Sequence, residues 1–263
     1  EFFLLSTLLE GQNVQQLKKG TSSAEPVTVS FYVKGNASAT YVAELFDSDN
    51  TRQYSQSFSV TSSWNRVSLT YAGDTTGALD DDNAISLQLI FWLHGGSNFT
   101  SGTLSTAWSS NTPANRAVGI TSIFDSTDRT LEITGIQMEL GEVATPFEHR
   151  SFGDELARCQ RYYQVLQDNV GLAGTTNGSA EILYIGVPLN VPLRGAPSIS
   201  GPSSFTGRSV SVATSSSNTA SARYDPTFSA SLSMDVAGFS GFTDNRGAIV
   251  HYSGGNLKLD SEL

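Results

Sequence analysis

The stretch that most constrains this chain runs from Glu132 to Tyr163, where a strand pattern stops and the one convincing helix of the sequence begins. Leu131 and Ile133 alternate with polar neighbours, the alternation slips at Gly135, and Ile136, Met138 and Leu140 resume it one step out of phase. A slip at a glycine predicts a β-bulge in a half-buried strand. Gly141 and then Thr145-Pro146 end that strand, because proline has no ladder donor and holds its predecessor extended. Ser151, with Asp154 three residues on, offers oxygen to the free amides of a helix start.

The helix is expected to run from Gly153 to Leu166. Leu156, Cys159, Tyr163 and Leu166 recur on it at helical spacing, while Arg158, Gln160 and Arg161 fall elsewhere around it. That is a narrow apolar seam. So short a helix is marginal alone in water, so the seam must lie against something, either the chain's own sandwich or the same helix of other subunits.

On both sides of this junction the period is two. Val27, Val29, Phe31 and Val33 alternate with Thr28, Ser30, Tyr32 and Lys34, and Tyr41–Phe46, Tyr54–Val60 and Val67–Tyr71 follow between polar turns. In Ile85–Leu93, Ile85, Leu87, Leu89, Phe91 and Leu93 share one side and Ile90 and Trp92 the other, which predicts a central strand whose second face is partly covered. Phe31, Leu89 and Ile136 are expected to face the core. Residues 95–120 carry no sustained period and predict a long loop or a pair of hairpin arms. After the helix, Glu181–Val187, Ser209–Ala213, Phe228–Val236, Ala248–Tyr252 and Leu257–Leu259 are strand-like, and the polar tract 200–221 predicts a mobile hairpin. The fold class expected is all-β: two jelly-roll-like β-sandwiches, residues 1–150 and 169–263, joined by one short α-helix at 151–168.

Composition narrows the function. With 25 acidic against 15 basic residues the net charge is −10, which argues against nucleic acid as a partner. No apolar run approaches the ~18 residues that predict a membrane span. The opening Glu1–Leu9 lacks a basic flank and is short for a signal peptide. It starts without methionine, and residues ahead of Glu1 are expected to be missing. The single cysteine, Cys159, allows no disulfide within the chain and reads as a small hydrophobe on the seam.

Catalysis needs convergent acid, base or nucleophile, yet His94, His149 and His251 stand apart in sequence, and the chain is read as non-enzymatic with no cofactor. Asp80-Asp81-Asp82, with Asp47 and Asp49, could donate oxygens to a structural calcium; a solvated acidic turn is the plainer reading. A glycan site would use aromatic platforms flanked by hydrogen-bonding groups. Trp108, in the polar loop beside Asn111 and Asn115, is the first candidate. Trp92, near His94 on the less buried face of its strand, could line a concave surface or belong to the core.

The runs Thr134–Gly141, Ala144–Arg150 and Glu155–Tyr163 closely resemble a module common in tail fibres and other virion proteins of tailed bacteriophages. Upstream, Gly11–Val14, Val27–Lys34 and Ser63–Arg66 resemble it too, and Val191–Pro197 and Leu259–Leu263 echo the family's last domain. The resemblance implies a carbohydrate-binding-module-like jelly roll, the helix and a more variable β domain ending at a natural C-terminus. It places Trp64 at a framework position, hence in the core. The opening departs from the pattern, implying that the strand ahead of Gly11 is absent or altered and the first jelly roll incomplete at its N-terminus.

By the same resemblance the chain is expected to be a homotrimeric virion component on the phage tail or another external surface, assembled in the host cytoplasm. Its expected partners are other virion proteins and a host surface glycan. Two other readings are an accessory carbohydrate-binding module of a secreted glycan-active enzyme and a purely architectural head-decoration or baseplate protein.

Overall fold

Alternating apolar residues become antiparallel sheet throughout. The computed structural model describes residues 1–176, 182–209, 215–217, 219–223, 231–237, 239 and 246–262. The chain divides into two units, 1–149 and 150–262.

The first unit holds β1 (Phe2–Glu10), β2 (Val27–Gly35), β3 (Ala39–Asp47), β4 (Arg52–Val60), β5 (Asn65–Tyr71), β6 (Ile85–Gly95), α1 (Ser97–Thr100), β7 (Ser109–Ser110) and β8 (Leu131–Leu140). They form a five-stranded sheet, β1-β6-β3-β4-β7, and a three-stranded one, β5-β2-β8. Val27, Val29, Phe31 and Val33 are buried as their alternation predicts, and so are Leu87, Leu89, Phe91 and Leu93 of β6. The Phe31 ring meets Phe58 and Phe91 edge-on, with centroids 5.0 and 5.1 Å away. These contacts join one sheet to the other, and each ring so buried contributes roughly 1.5–3 kcal/mol.

The bulge forms at Gly135, whose φ is +59°. Ser30 pairs with Gln137 and Tyr32 with Thr134, so Gly135 and Ile136 stand together opposite Phe31. Glycine takes that left-handed conformation without the clash a Cβ would bring. The bulge also corrects one expectation: Ile136 is 44% exposed, carried outward by the extra residue.

Two further expectations change. The strand expected to be absent or altered ahead of Gly11 is present as β1, paired with β6 along its length, because Leu9 reaches the main core and Leu4 a smaller cluster on the sheet's other face. Residues 95–120 are the long loop expected, interrupted by α1, β7 and a 3-10 turn at Pro113–Asn115. Ala117 N–H bonds to Phe99 O and Gly102 N–H to Ala114 O, folding the segment so that Phe99, Leu104, Ala117 and Ile120 close over Val42, Ile90 and Trp92. The second face of β6 is therefore buried.

The second unit holds α2 (Phe152–Gln160), β9 (Tyr163–Leu166), β10 (Gly171–Thr176), β11 (Ile182–Pro188), β12 (Ser198–Ser200), β13 (Ser204–Ser209), β14 (Ser215–Ser217), β15 (Thr219–Arg223), β16 (Ser231–Ala237), β17 (Gly247–Ser253) and β18 (Leu257–Asp260). Among the described residues these make a seven-stranded sheet, β14-β13-β17-β10-β11-β16-β15, and a three-stranded one, β12-β18-β9. Val187, Met234, Val250, Tyr252, Leu257 and Leu259 share their core. The polar tract contributes the antiparallel pair β13–β14. Glu181, residues 210–213 and residues 228–230 of the expected strands lie outside the described residues.

The helix is shorter than expected. Ser151 caps it, its Oγ accepting from Asp154 N–H at 3.2 Å, but it ends at Gln160, and Tyr163–Leu166 pair as a strand with Leu257–Asp260. Aromatic and β-branched residues suit the ladder, and Gln164 anchors it: its amide donates to Val191 O at 2.7 Å and accepts from Asn190 N–H at 3.0 Å. The four-residue seam therefore does not exist as one stripe. Leu156 and Cys159 lie exposed on α2, Tyr163 faces out from β9, and Leu166 packs on the second core.

Candidate functional site

The outer face of the five-stranded sheet carries an aromatic residue, a carboxylate and a guanidinium together, but sealed. Trp92, 1% exposed, donates its indole N–H to Glu44 Oε2 at 2.5 Å. Arg116 Nε lies 2.9 Å from Glu44 Oε1, and its guanidinium carbon sits 4.5 Å from the Phe46 centroid and 5.1 Å from that of Trp92. Burial raises the Glu44 pKa above its ordinary value of 4.5, opposed by the charge and hydrogen bonds of Arg116 and by Trp92. Trp92 is thus core, and its reading as a ligand platform is corrected: residues 96–123 cover it.

Trp108 is half-buried. Its indole donates to Ala72 O at 2.7 Å, and its ring meets Tyr54 edge-on and carries the Lys19 ammonium 5.3 Å from its centroid. The shallow cleft beside it is lined by Lys19, Glu25, Tyr71 and Asp74. Asn115 Oδ1 accepts from Thr103 N–H at 2.9 Å, fixing the loop, and Asn111 is half-buried beside β4. These three do not make a free platform with flanking amides. Asp80, Asp81 and Asp82 are exposed; Asp80 N–H donates to Asp49 Oδ2 and Asp82 Oδ1 accepts from Ala84 N–H, so the run builds a turn. Asp47 belongs instead to a buried ion network with Lys19. Among the described residues no group of three or more His, Cys, Asp or Glu is placed to hold a metal ion.

An open aromatic surface lies on the three-stranded sheet, besides the exposed Phe2, Phe3 and Phe124 at the β1 side of the five-stranded one. On the outer face of β5-β2-β8, Tyr32 and Lys34 project from the polar side of β2, Lys34 pairing with Glu132 of β8 and Tyr32 with Arg66 of β5. Trp64, the residue before β5, is 46% exposed, with the Lys34 ammonium 5.2 Å from its ring centroid. Lys34 Nζ also reaches Glu132 Oε1 at 3.1 Å. Tyr32 is 38% exposed, and the Arg66 guanidinium lies 6.0 Å from its ring.

The far half of the same face is covered. Thr28 donates to Gly141 O, Gln137 to Thr145 Oγ1, and Arg66 to Ser30 Oγ and Thr145 O, so the segment after β8 folds back over Thr28 and Ser30 and leaves Tyr32, Trp64, Lys34 and Glu132 at its edge. What remains is an indole just ahead of β5 and a phenol on β2, with one ammonium over the indole and one carboxylate paired to it. Such a set can stack a pyranose C–H face and bond its hydroxyls.

Trp64 corrects the expectation that it is core. Its backbone precedes β5 at the sheet end and its ring lies on the outer face under Lys34. The signal was in the sequence: Tyr32 and Lys34 sit on the polar phase of β2, and Trp64 follows a Thr-Ser-Ser turn rather than an apolar run. The architecture defines an all-β protein of antiparallel sandwich type. No protein-family model matches the sequence, and no curated protein matches it.

Proposed function

We propose that this chain is a non-enzymatic component of a bacteriophage virion, a tail fibre or receptor-binding part on its exterior, which meets a host-surface glycan on the outer face of β5-β2-β8. The observation that carries the glycan reading is Trp64: an indole almost half exposed at the sheet end, with the Lys34 ammonium over its ring and the Glu132 carboxylate paired to that ammonium. The virion reading rests on the resemblance of residues 11–163 to phage appendage modules. Three copies joined through α2, with other virion proteins, multiply individually modest contacts into avidity. The test is a glycan array with the intact oligomer against Trp64→Ala. Saccharide signal lost in the variant while its unfolding transition persists supports the reading; no signal for the unaltered oligomer turns the assignment toward an architectural virion role.

A further inference from the structure

Lys19 is held inside the first unit by an oxygen cage. Lys18 takes φ +48° and Gly20 φ +82°, a backbone reversal that turns the side chain between them inward, and that side chain is 4% exposed. Its ammonium lies 2.5 Å from Asp47 Oδ2, 3.1 Å from Asp74 Oδ2, 2.8 Å from Thr76 O and 2.9 Å from Gly77 O. Gly77 has φ +75°, which brings two successive carbonyls toward one point. The Trp108 ring bounds the same point 5.3 Å away.

Two carboxylate oxygens and two carbonyl oxygens around a single positive centre are the donor chemistry that hard cations take, with ligand distances of ~2.3–2.6 Å for calcium. An ammonium has three protons to share among the four oxygens, so its fit is electrostatic more than directional. Arg52 Nε bonds Asp74 Oδ2 at 2.6 Å from the outside, so Lys19 and Arg52 together balance Asp47 and Asp74. Removing the Lys19 side chain leaves a void with one net negative charge, which a divalent ion reverses.

We propose that the Asp47, Asp74, Thr76 and Gly77 oxygens form a cation site whose resident cation is the Lys19 ammonium, and that a calcium-class metal ion takes the same position once that side chain is removed. The site is independent of the glycan surface.

Terbium(III), a calcium stand-in whose luminescence is excited through a neighbouring indole, reads the site directly. Lys19→Ala and Lys19→Ser, folded in calcium, are each freed of metal and titrated with terbium. Expected are stoichiometric luminescence that calcium competes away, its loss when Trp108→Phe is added, and a melting temperature that rises with calcium concentration. The unaltered protein shows none of these. Luminescence in the unaltered protein that calcium competes away would overturn the proposal, because the ammonium would not then be the occupant. So would folded variants without Trp108-dependent luminescence, or failure of both variants to fold at every calcium concentration.

Discussion

Arg116 and Trp92 close on the same buried carboxylate: the guanidinium Nε lies 2.9 Å from Glu44 Oε1 and the indole nitrogen 2.5 Å from Glu44 Oε2. Glu44 is fully buried, so its charge is tolerated only while these donors are present. Arg116→Ala is expected to lower stability at neutral pH by about 3–5 kcal/mol, read from the denaturant midpoint, because it leaves a buried charge unpaired. The double variant Glu44→Leu, Arg116→Met is expected to lose much less. The Glu44 pKa is raised in the folded state, which therefore binds the proton more readily than the unfolded chain, so this group's contribution improves as pH falls through the folded value. Without Arg116 the rise is larger, and the variant should recover part of its deficit in acid. A deficit independent of pH would contradict this account.

Asp74 titrates in the opposite sense. Burial acts to raise its pKa, but hydrogen bonds from Arg52, Lys19 and Thr76 N–H, with the Lys19 charge, outweigh that and hold it below its ordinary value of 3.8. A depressed acid stabilises the fold above the unfolded value and loses that contribution as pH falls through the folded one. Acid unfolding of the protein and of Asp74→Asn, compared by denaturant midpoint from neutral pH downward, should converge below pH 3.8. Parallel curves would show that Asp74 is not linked to folding.

What was legible in the sequence was whatever one period governs. β2, β6 and β17 alternate cleanly, and the structure buries Phe31, Leu89 and Val250 as that alternation requires. The glycine at the phase slip marked the bulge. The helix end was missed because Tyr163 and Leu166 sit at helical spacing from Leu156, whereas the ladder to β18 that makes them a strand comes from residues about 90 positions away. Local spacing carries no trace of such a partner. Spacing left Trp92 open between core and platform and misplaced Trp64 for a related reason: residues 96–123 fold over Trp92, while Trp64 keeps 46% of its surface exposed with the Lys34 ammonium over its ring.

Gly135 is the cheapest place to test the bulge. Its φ of +59° costs an alanine ~1–2 kcal/mol, and the new Cβ would stand 3.2 Å from Tyr32 Cδ2. Gly135→Ala should therefore lower the unfolding free energy by that amount, read from the denaturant midpoint, and disturb Tyr32, one of the two aromatic rings of the proposed glycan surface. Weaker saccharide binding should accompany the lost stability. If stability is unchanged, the backbone at Gly135 is not left-handed in solution.

The proposed contact between three copies is placed on α2. With Tyr163 and Leu166 assigned to β9, the apolar stripe left on the helix is Phe152, Leu156 and Cys159, at spacings of four and three, and all three side chains are exposed in the single chain. Exposed apolar residues at that spacing are what a helix presents to a partner. The mass of residues 1–263 is expected to be three times 28.0 kDa by light scattering, falling to one chain in Leu156→Glu. The thiol gives a second readout, since Cys159 should be shielded from a thiol reagent in the trimer and react freely in the Leu156→Glu monomer. A trimer whose thiol reacts at the free rate, or one that survives Leu156→Glu, would place the subunit contact elsewhere on the chain.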